Sequence, residues 1–283
     1  MIRPSHILNL SCPDSPGIVA SVTTALAGLG ANIVESNQFW DQLANRFFMR
    51  IAIDARGADR GTIEDALSPA IDRFEMETRL IDTAIRPKII VMVSRFDHAM
   101  LHLLYQIRVG WLEADVAAMV SNHEDSRKAA EDAGIPYHCW KVTKENKGEQ
   151  EVRLSRLVEE TGADLLILAR YMQVLTDEFS SRFYGRIINI HHSFLPSFKG
   201  AKPYHQAHDR GVKLIGATAH YVTPDLDEGP IIEQETERVN HAMGADDYVA
   251  AGRDIESRVL ARAVKLHLEN RVMLSGNKTI VFA

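Results

Sequence analysis

Residues 164–192 read DLLILARYMQVLTDEFSSRFYGRIINIHH, and this stretch decides the fold of the larger part of the chain. It holds two short, almost wholly apolar segments, at 164–170 and 186–192, with a short helical stretch between them. A strand that is apolar on both faces is typical of a parallel sheet covered by helices on both sides. The stretch therefore predicts two strands of an α/β sheet.

The same alternation of apolar strands and helices extends on both sides of this stretch. Strands are predicted at 88–94, 114–122 and 137–140, and helices at about 97–108 and 149–161. Residues 213–222 and 230–239 flank a turn-rich loop and fit an antiparallel pair, and a long helix from about 245 to 271 is predicted to close the chain. We therefore predict a Rossmann-like parallel-sheet domain at 88–283.

The first 84 residues predict a different order of strands and helices. Residues 6–11 alternate like a strand, residues 12–17 (CPDSPG) have turn chemistry, and residues 17–29 carry apolar side chains at helical spacing. Strands at 32–40, 46–54 and 74–81 and a helix at 60–73 complete the prediction. The order βαββαβ indicates a ferredoxin-like domain at 1–84, and Arg86-Pro87-Lys88 is interpreted as a linker.

Composition excludes several classes of protein. A length of 283 residues fits two domains, and a net charge of −6 without a block of Lys or Arg argues against nucleic-acid binding. The N-terminus lacks the features of a signal peptide, and no apolar run approaches the length of a membrane span. The two cysteines, Cys12 and Cys139, fit a reducing compartment. We expect a cytoplasmic protein with no membrane partner.

Polar residues at the end of an apolar strand indicate a site. Asn189 and His191 are two residues apart, so they share one face of the strand, and ligands of open α/β sheets lie beyond the carboxyl ends of the strands. A hydrogen-bonded structural pair is the alternative. His220, in a later strand, fits a buried core histidine, and the acidic loop 223–229 fits an ordinary solvated turn.

A longer comparison favours function at all of these places. The stretch NIHHSFLPSFKGAKPYHQAHDRGVKLIGATAHYVTPDLDEGPII, at 189–232, resembles the core of the formyltransferase family that uses 10-formyltetrahydrofolate, and LLILARYMQVL, at 165–175, extends the match. The leading domain resembles an ACT domain. That leader and His192, where the family's transformylases typically have Pro, point to the deformylase branch, whose reaction is hydrolysis to formate and tetrahydrofolate.

The resemblance implies a catalytic trio of Asn189, His191 and Asp227. Asn189 would donate to the oxyanion of a tetrahedral intermediate, and a protonated His191 would donate a second hydrogen bond or act as general acid. Asp227 would hold the imidazole of His191 and help to position or deprotonate the attacking water. His220 and His192 are expected to support the trio from behind.

The resemblance also implies two binding regions. The folate is expected at two segments: Met172, Gln173, Val174 and Leu175, and Asp225 with Leu226. In the ACT-like domain an amino-acid effector is expected near Asp14, Gly17, Asn32 and Ile33, at a pocket between paired copies; the alternative is that this domain only joins subunits. Either role implies a homo-oligomer.

The reaction's second substrate is predicted to be water. In the transformylases the first strand leads to a loop rich in Gly, Ser and Asn that holds a phosphate, whereas residues 94–100 here read SRFDHAM and lack glycine. No cofactor beyond the folate substrate is expected, and no metal, because His205 and His208 have no third ligand at metal spacing. A formyltransferase to an amine and a non-catalytic folate or amino-acid sensor stay open as alternatives.

Overall fold

A computed structural model describes residues 3–55, 57–195 and 203–283, so residues 196–202 of the family-like stretch lie outside the described residues. The chain forms two compact units. The first comprises Met1–Arg86 together with Asn270–Ala283, and the second comprises Pro87–Glu269. No helix within the described ranges is long and apolar enough to cross a membrane.

The first unit begins with the predicted βαββαβ order. Its elements are β1 (His6–Pro13), α1 (Ile18–Gly28), β2 (Asn32–Asp41), β3 (Arg46–Asp54), α2 (Arg60–Phe74) and β4 (Glu77–Asp82). The four strands form one sheet in the order β2-β3-β1-β4, and every neighbouring pair is antiparallel. Leu8, Leu10 and Cys12 alternate along β1 and lie in the core that the sheet forms with α1 and α2. The predicted ferredoxin-like, ACT-type fold is confirmed.

The second unit is built on a sheet of seven strands in the order β11-β10-β9-β8-β5-β6-β7. Its elements are β5 (Lys88–Val93), α3 (His98–Arg108), β6 (Asp115–Ser121), α4 (Arg127–Asp132), β7 (Tyr137–Cys139), α5 (Lys147–Thr161), β8 (Leu165–Ala169), α6 (Asp177–Arg182), β9 (Ile187–His191), α7 (Pro203–Asp209), β10 (Leu214–Tyr221), β11 (Ile231–Arg238) and α8 (Ala245–Leu268).

The strands that are apolar on both faces are parallel, as the sequence predicted. The strands from β7 to β9 in the sheet are parallel. β10 is antiparallel to β11, as predicted from the turn-rich loop, and it is also antiparallel to β9, which was not predicted. All five residues of β8 are buried, as a strand covered on both faces requires. The carboxyl ends of β5, β8 and β9 lie in neighbouring positions, and Ser94, Arg170 and His192 follow them directly.

The last fourteen residues differ from the prediction. The helix predicted to reach residue 271 ends at Leu268, and the chain continues as the hairpin β12 (Val272–Ser275) and β13 (Lys278–Val281). The hairpin groups with the first unit, whereas the sequence analysis assigned it to the second domain. Asn270 has a positive φ of 54°, a conformation that ends helices.

Polar contacts account for this grouping. The main-chain oxygen of Asn270 accepts hydrogen bonds from Asn9 Nδ2 and Arg50 Nε, at 2.9 and 3.2 Å. Arg271 donates from its two terminal nitrogens to Glu35, at 2.9 and 3.0 Å. The C-terminal segment therefore satisfies polar groups on the sheet face that α1 and α2 do not cover.

Candidate active site

Two strands and one loop bring the predicted polar residues together. Asn189 and His191 lie on β9, and the register pairs Asn189 with His220 of β10. Asn189 Nδ2 lies 3.2 Å from His220 Nε2. Asp227, in the loop between β10 and β11, places Oδ2 3.2 Å from His191 Nδ1 and Oδ1 3.7 Å from His220 Nε2. The trio and His220 thus form one contiguous cluster.

Both ring nitrogens of His191 have partners. Nδ1 faces the carboxylate of Asp227, and Nε2 lies 3.1 Å from the hydroxyl of Ser193. A carboxylate only accepts hydrogen bonds when ionised, so Nδ1 is the nitrogen that carries a proton toward Asp227. The side chain is 6% exposed, which restricts its ring to this orientation. Asp227 therefore determines the tautomer of His191.

Asp227 is held ionised by its surroundings. Burial opposes ionisation, but the hydrogen bond from His191 and the proximity of the His191 and His220 rings prevail, and they hold the pKa of the carboxyl well below its usual range. Its backbone adopts a φ of 57°, a conformation uncommon outside glycine and more frequent for Asp and Asn. A carboxylate with this pKa keeps its charge over the whole neutral range.

The loop that carries Asp227 depends on a close backbone approach. Gly229 lies against β10, and a Cβ there would stand 1.8 Å from the main-chain oxygen of Tyr221 and 3.3 Å from His220 Nδ1. The next residue, Pro230, accepts a hydrogen bond from the Tyr221 amide at 2.9 Å. Glycine is thus required for the loop to lie close enough to bring Asp227 to the two histidines.

His192 follows directly on His191, and its ring lies edge-on to that of His191 with the ring centroids 5.1 Å apart. Its Nδ1 atom is buried and has no hydrogen-bond partner among the described residues. Burial, followed by the charges of Arg170 and His191, lowers the pKa of His192 to about 4 against the opposing effect of Glu256 and Asp227. The imidazole is therefore neutral at neutral pH.

A second buried cluster surrounds Glu256 of α8, a residue that is 1% exposed. His98 Nε2 lies 2.8 Å from Oε2, the Tyr204 hydroxyl donates to Oε1 at 2.8 Å, and Arg170 lies 3.5 Å from Oε1. Burial raises the pKa of this carboxyl, but the hydrogen bond from His98 and the charge of Arg170 outweigh it and lower the pKa. Arg170 has a positive φ of 64°, and its Nε has no partner among the described residues.

Helix α8 makes room for one member of this cluster. A Cβ on Gly252 would lie 2.1 Å from Cζ of Tyr204, so only glycine allows the phenol ring against the helix at this point. Gly252 and Glu256 are four residues apart and share one helix face. The ring therefore lies over Gly252 while its hydroxyl reaches Glu256.

Only some of the residues predicted to bind the folate line one common recess. One recess is lined by Gln173, Val174 and Leu175 of the predicted set, together with Met92, Val120, Trp140, Val142, Lys147, Gln150, Glu151, Leu154 and Tyr171. Met172, at a positive φ of 59°, is 57% exposed and does not line this recess. Leu226 is 59% exposed, and neither it nor Asp225 lines the recess.

The four residues predicted for an effector are divided within one chain. Asp14 and Gly17 follow the end of β1, where Pro13 pairs with Arg46. Asn32 and Ile33 begin β2, where Asn32 pairs with Asp54 at the other end of β3. The register therefore sets the two pairs at opposite ends of the sheet.

Several residues of this site were not predicted from the sequence. Ser193 contacts His191, Arg170 and Glu256 contact each other in the second cluster, and Trp140 and Lys147 line the recess. Glu256 carried one signal, since it interrupts the apolar face of α8 between Ile255 and Val259. Among the described residues, no group of three or more His, Cys, Asp or Glu side chains could hold a metal ion.

Family models match both units. One described as "Formyl transferase" matches residues 87–264, and one described as "ACT domain" matches residues 6–62.

Curated relatives match nearly the whole chain. A formyltetrahydrofolate deformylase of Corynebacterium sp. (strain P-1) is 47% identical over 98% of this chain and 97% of its own length. The protein of the same name from Bacillus subtilis (strain 168) is 48% identical over 97% of this chain and 93% of its own.

Solved structures of deformylases and of transformylases resemble this chain. The crystal structure of a formyltetrahydrofolate deformylase from Burkholderia mallei has a TM-score of 0.94 and 47% identity, and covers 98% of this chain and 99% of its own. A glycinamide ribonucleotide transformylase from Symbiobacterium toebii has a TM-score of 0.65 and 28% identity, and covers 70% of this chain and 95% of its own.

Proposed function

The chain belongs to the formyltetrahydrofolate deformylase family, and from this premise we propose that Asn189, His191 and Asp227 carry out its reaction. It is a hydrolase that converts 10-formyltetrahydrofolate to formate and tetrahydrofolate, by cleavage of a linear amide C–N bond. The observation that carries the assignment of residues is the contact of His191 with Asp227 beside Asn189 on the same strand face.

Hydrolysis of an N-formyl group passes through a tetrahedral intermediate whose oxygen becomes negative. The side-chain amide of Asn189 can donate to this oxygen, and a donor of this kind typically contributes about 10²–10³ in rate. His191 would supply a second hydrogen bond from Nε2 when it is protonated, with Ser193 exchanging that contact for the substrate. Asp227 fixes the ring of His191 and carries the compensating charge.

We propose that the folate lies along Gln173, Val174 and Leu175 and that Met172, Asp225 and Leu226 close over it. The recess that the first three line has mostly apolar walls and a few polar groups, the kind of lining that small-molecule sites usually have. Exposed apolar side chains at Met172 and Leu226 would lose water contact when the ligand binds. The folate is the substrate, and the mechanism asks for no further cofactor.

For the first unit we propose an amino-acid effector held between two copies of the chain. Because Asp14 and Gly17 lie at the opposite end of the sheet from Asn32 and Ile33, one shared site needs residues from two chains. The edge strand β2 exposes Val34, Phe39 and Trp40, and exposed edge strands are available for pairing. A cytoplasmic homo-oligomer is the matching proposal for the whole chain.

The test is release of formate from 10-formyltetrahydrofolate in water without an added amine. We expect turnover by the unmodified chain and a loss of at least two decades in kcat for Asp227→Asn. Glu228→Gln, a charge change at the next position of the same loop, is the matched control and should keep its activity.

Other outcomes would redirect the assignment. Turnover that appears only when an amine is added would indicate a formyltransferase. Tight folate binding without either reaction would indicate a sensor. An Asp227→Asn variant as active as the Glu228→Gln control would remove Asp227 from the mechanism.

A further inference from the structure

Hydrolysis needs a group that accepts a hydrogen bond from the attacking water. Within the trio, the ring nitrogens of His191 and the amide nitrogen of Asn189 already have partners. His191 faces Asp227 through Nδ1 and Ser193 through Nε2. The amide nitrogen of Asn189 faces His220 Nε2. The carboxylate of Asp227 faces His191 with Oδ2 and His220 with Oδ1. A separate acceptor beside the trio would therefore hold the water without drawing Asp227 away from the two rings.

His192 has the properties of such an acceptor. Its Nδ1 is buried and without a partner among the described residues, although a buried polar atom without a hydrogen bond costs stability. The chain bends at residues 192–193, directly after β9, and the bend leaves the His192 ring beside that of His191, with centroids 5.1 Å apart. The unpartnered nitrogen thus belongs to the residue next to the catalytic imidazole.

The surroundings keep this imidazole neutral. Burial and the positive charge of Arg170 disfavour a second proton on the ring, and Arg170 is itself held by Glu256 at 3.5 Å. A neutral imidazole has one N–H and one nitrogen that accepts. With the proton on Nε2, the buried Nδ1 is a permanent acceptor at neutral pH.

We propose that Nδ1 of His192 holds the attacking water and makes water the formyl acceptor, an inference that rests on the hydrolase function proposed above. In the attack, the water oxygen bonds to the formyl carbon, one water proton moves to Nδ1, and the C=O π pair moves to the oxygen that faces Asn189. The electron pair on the oxyanion then re-forms the C=O bond as the C–N10 bond breaks, and N10 keeps the electron pair of that bond and takes the proton back from His192. The formic acid released loses its remaining proton to solvent.

Three substitutions separate this role from a structural one. Asn at 192 can place an amide oxygen near the position of Nδ1, Gln can place one near the position of Nε2, and Phe keeps the ring without either nitrogen. We expect His192→Phe and His192→Gln to lose about 10²-fold in kcat with KM little changed, and His192→Asn, which can hold the water but cannot take its proton, to recover only part of that loss. Thermal unfolding and binding of tetrahydrofolate confirm that each variant is folded.

A second nucleophile gives a ratio of two products formed by the same folded enzyme, and a loss of folded protein does not change this ratio. Hydroxylamine is nucleophilic without a base, and its attack on the formyl group gives formohydroxamate, which is measured beside formate. In His192→Phe the ratio of formohydroxamate to formate should rise by at least tenfold over the unmodified chain. An unchanged ratio, or equal kcat values for His192→Asn and His192→Gln, would overturn the proposal. Absence of formate release by the unmodified chain would instead overturn the hydrolase function.

Discussion

His220 accepts a hydrogen bond from Asn189, and the other nitrogen of the same ring determines this direction. Nδ1 of His220 lies 2.9 Å from the main-chain oxygen of Tyr221, and a carbonyl oxygen only accepts, so Nδ1 carries the ring proton. In the neutral ring Nε2 is then the acceptor for Nδ2 of Asn189, at 3.2 Å. This contact uses one N–H of the Asn189 amide group, and the second N–H is the one that the proposed function assigns to the substrate.

Loss of this acceptor should impair Asn189 without affecting folate binding. We expect His220→Phe to lower kcat by about 10- to 100-fold, a part of what removal of an oxyanion donor costs, with KM unchanged. His220→Gln, whose side-chain oxygen can take the place of Nε2, should stay within a few-fold of the unmodified chain. Steady-state kinetics with 10-formyltetrahydrofolate measure both variants. Full activity in His220→Phe would contradict a role of His220 in orienting Asn189.

Gly229 should resist any larger residue. In Gly229→Ala the added Cβ would meet the Tyr221 oxygen at 1.8 Å, so the loop must move and take Asp227 away from His191. Forced overpacking of this kind costs about 1–3 kcal/mol in unfolding free energy, and kcat should fall by more than tenfold. Gly28→Ala, where a Cβ meets nothing within 4 Å, is the control. Urea unfolding and kinetics on both variants measure the difference.

The cluster around Glu256 should contribute strongly to stability. Glu256→Leu leaves His98 and Arg170 buried without their shared carboxylate, and we expect it to lower the unfolding free energy by about 3–5 kcal/mol. Tyr204→Phe removes one hydrogen bond to a charged group and should cost about 2 kcal/mol. Glu159→Gln breaks an exposed pair with Arg182 and should change little. Equal effects at Glu256 and Glu159 would contradict the burial argument.

His192 should make stability depend on pH. Its pKa falls from 6.5 to about 4 on folding, so between these pH values the unfolded chain binds a proton that the folded chain does not. Stability therefore decreases as pH is lowered from 6.5 to 4, by about 3 kcal/mol from this residue. The contribution should be absent in His192→Asn. Urea unfolding at several pH values for both proteins measures it, and parallel curves would exclude the effect.

Much of the fold follows from local pattern. Strands such as Leu165–Ala169 are apolar throughout because both faces are covered, and this property is visible in the sequence itself. Asn189 and His191 could be predicted as neighbours because two residues on one strand face must be close. Their contact with Asp227 came from the family resemblance, because nothing local in an acidic loop distinguishes it from a solvated turn.

Other features depend on contacts that no local pattern reports. Glu256 meets Arg170 across 86 positions of sequence, and helical periodicity can show a buried acid without showing its partner. The hairpin at 272–281 had a signal, since Gly276-Asn277 is a typical two-residue turn between β-forming stretches. The apolar residues Val272, Met273 and Leu274 directly follow the helical stretch. The predicted helix therefore ran on to residue 271, next to these residues, instead of ending before them.

The C-terminal hairpin has a consequence for synthesis. Residues 270–283 leave the ribosome only after the 183 residues of the second unit, yet Arg50 and Asn9 of the first unit bond to Asn270. The first unit therefore stays incomplete while the second unit is being synthesised, although its own strands and helices were made first. A nascent chain interrupted after residue 269 would contain the whole second unit but lack the contacts of Asn270 with Asn9 and Arg50 in the first.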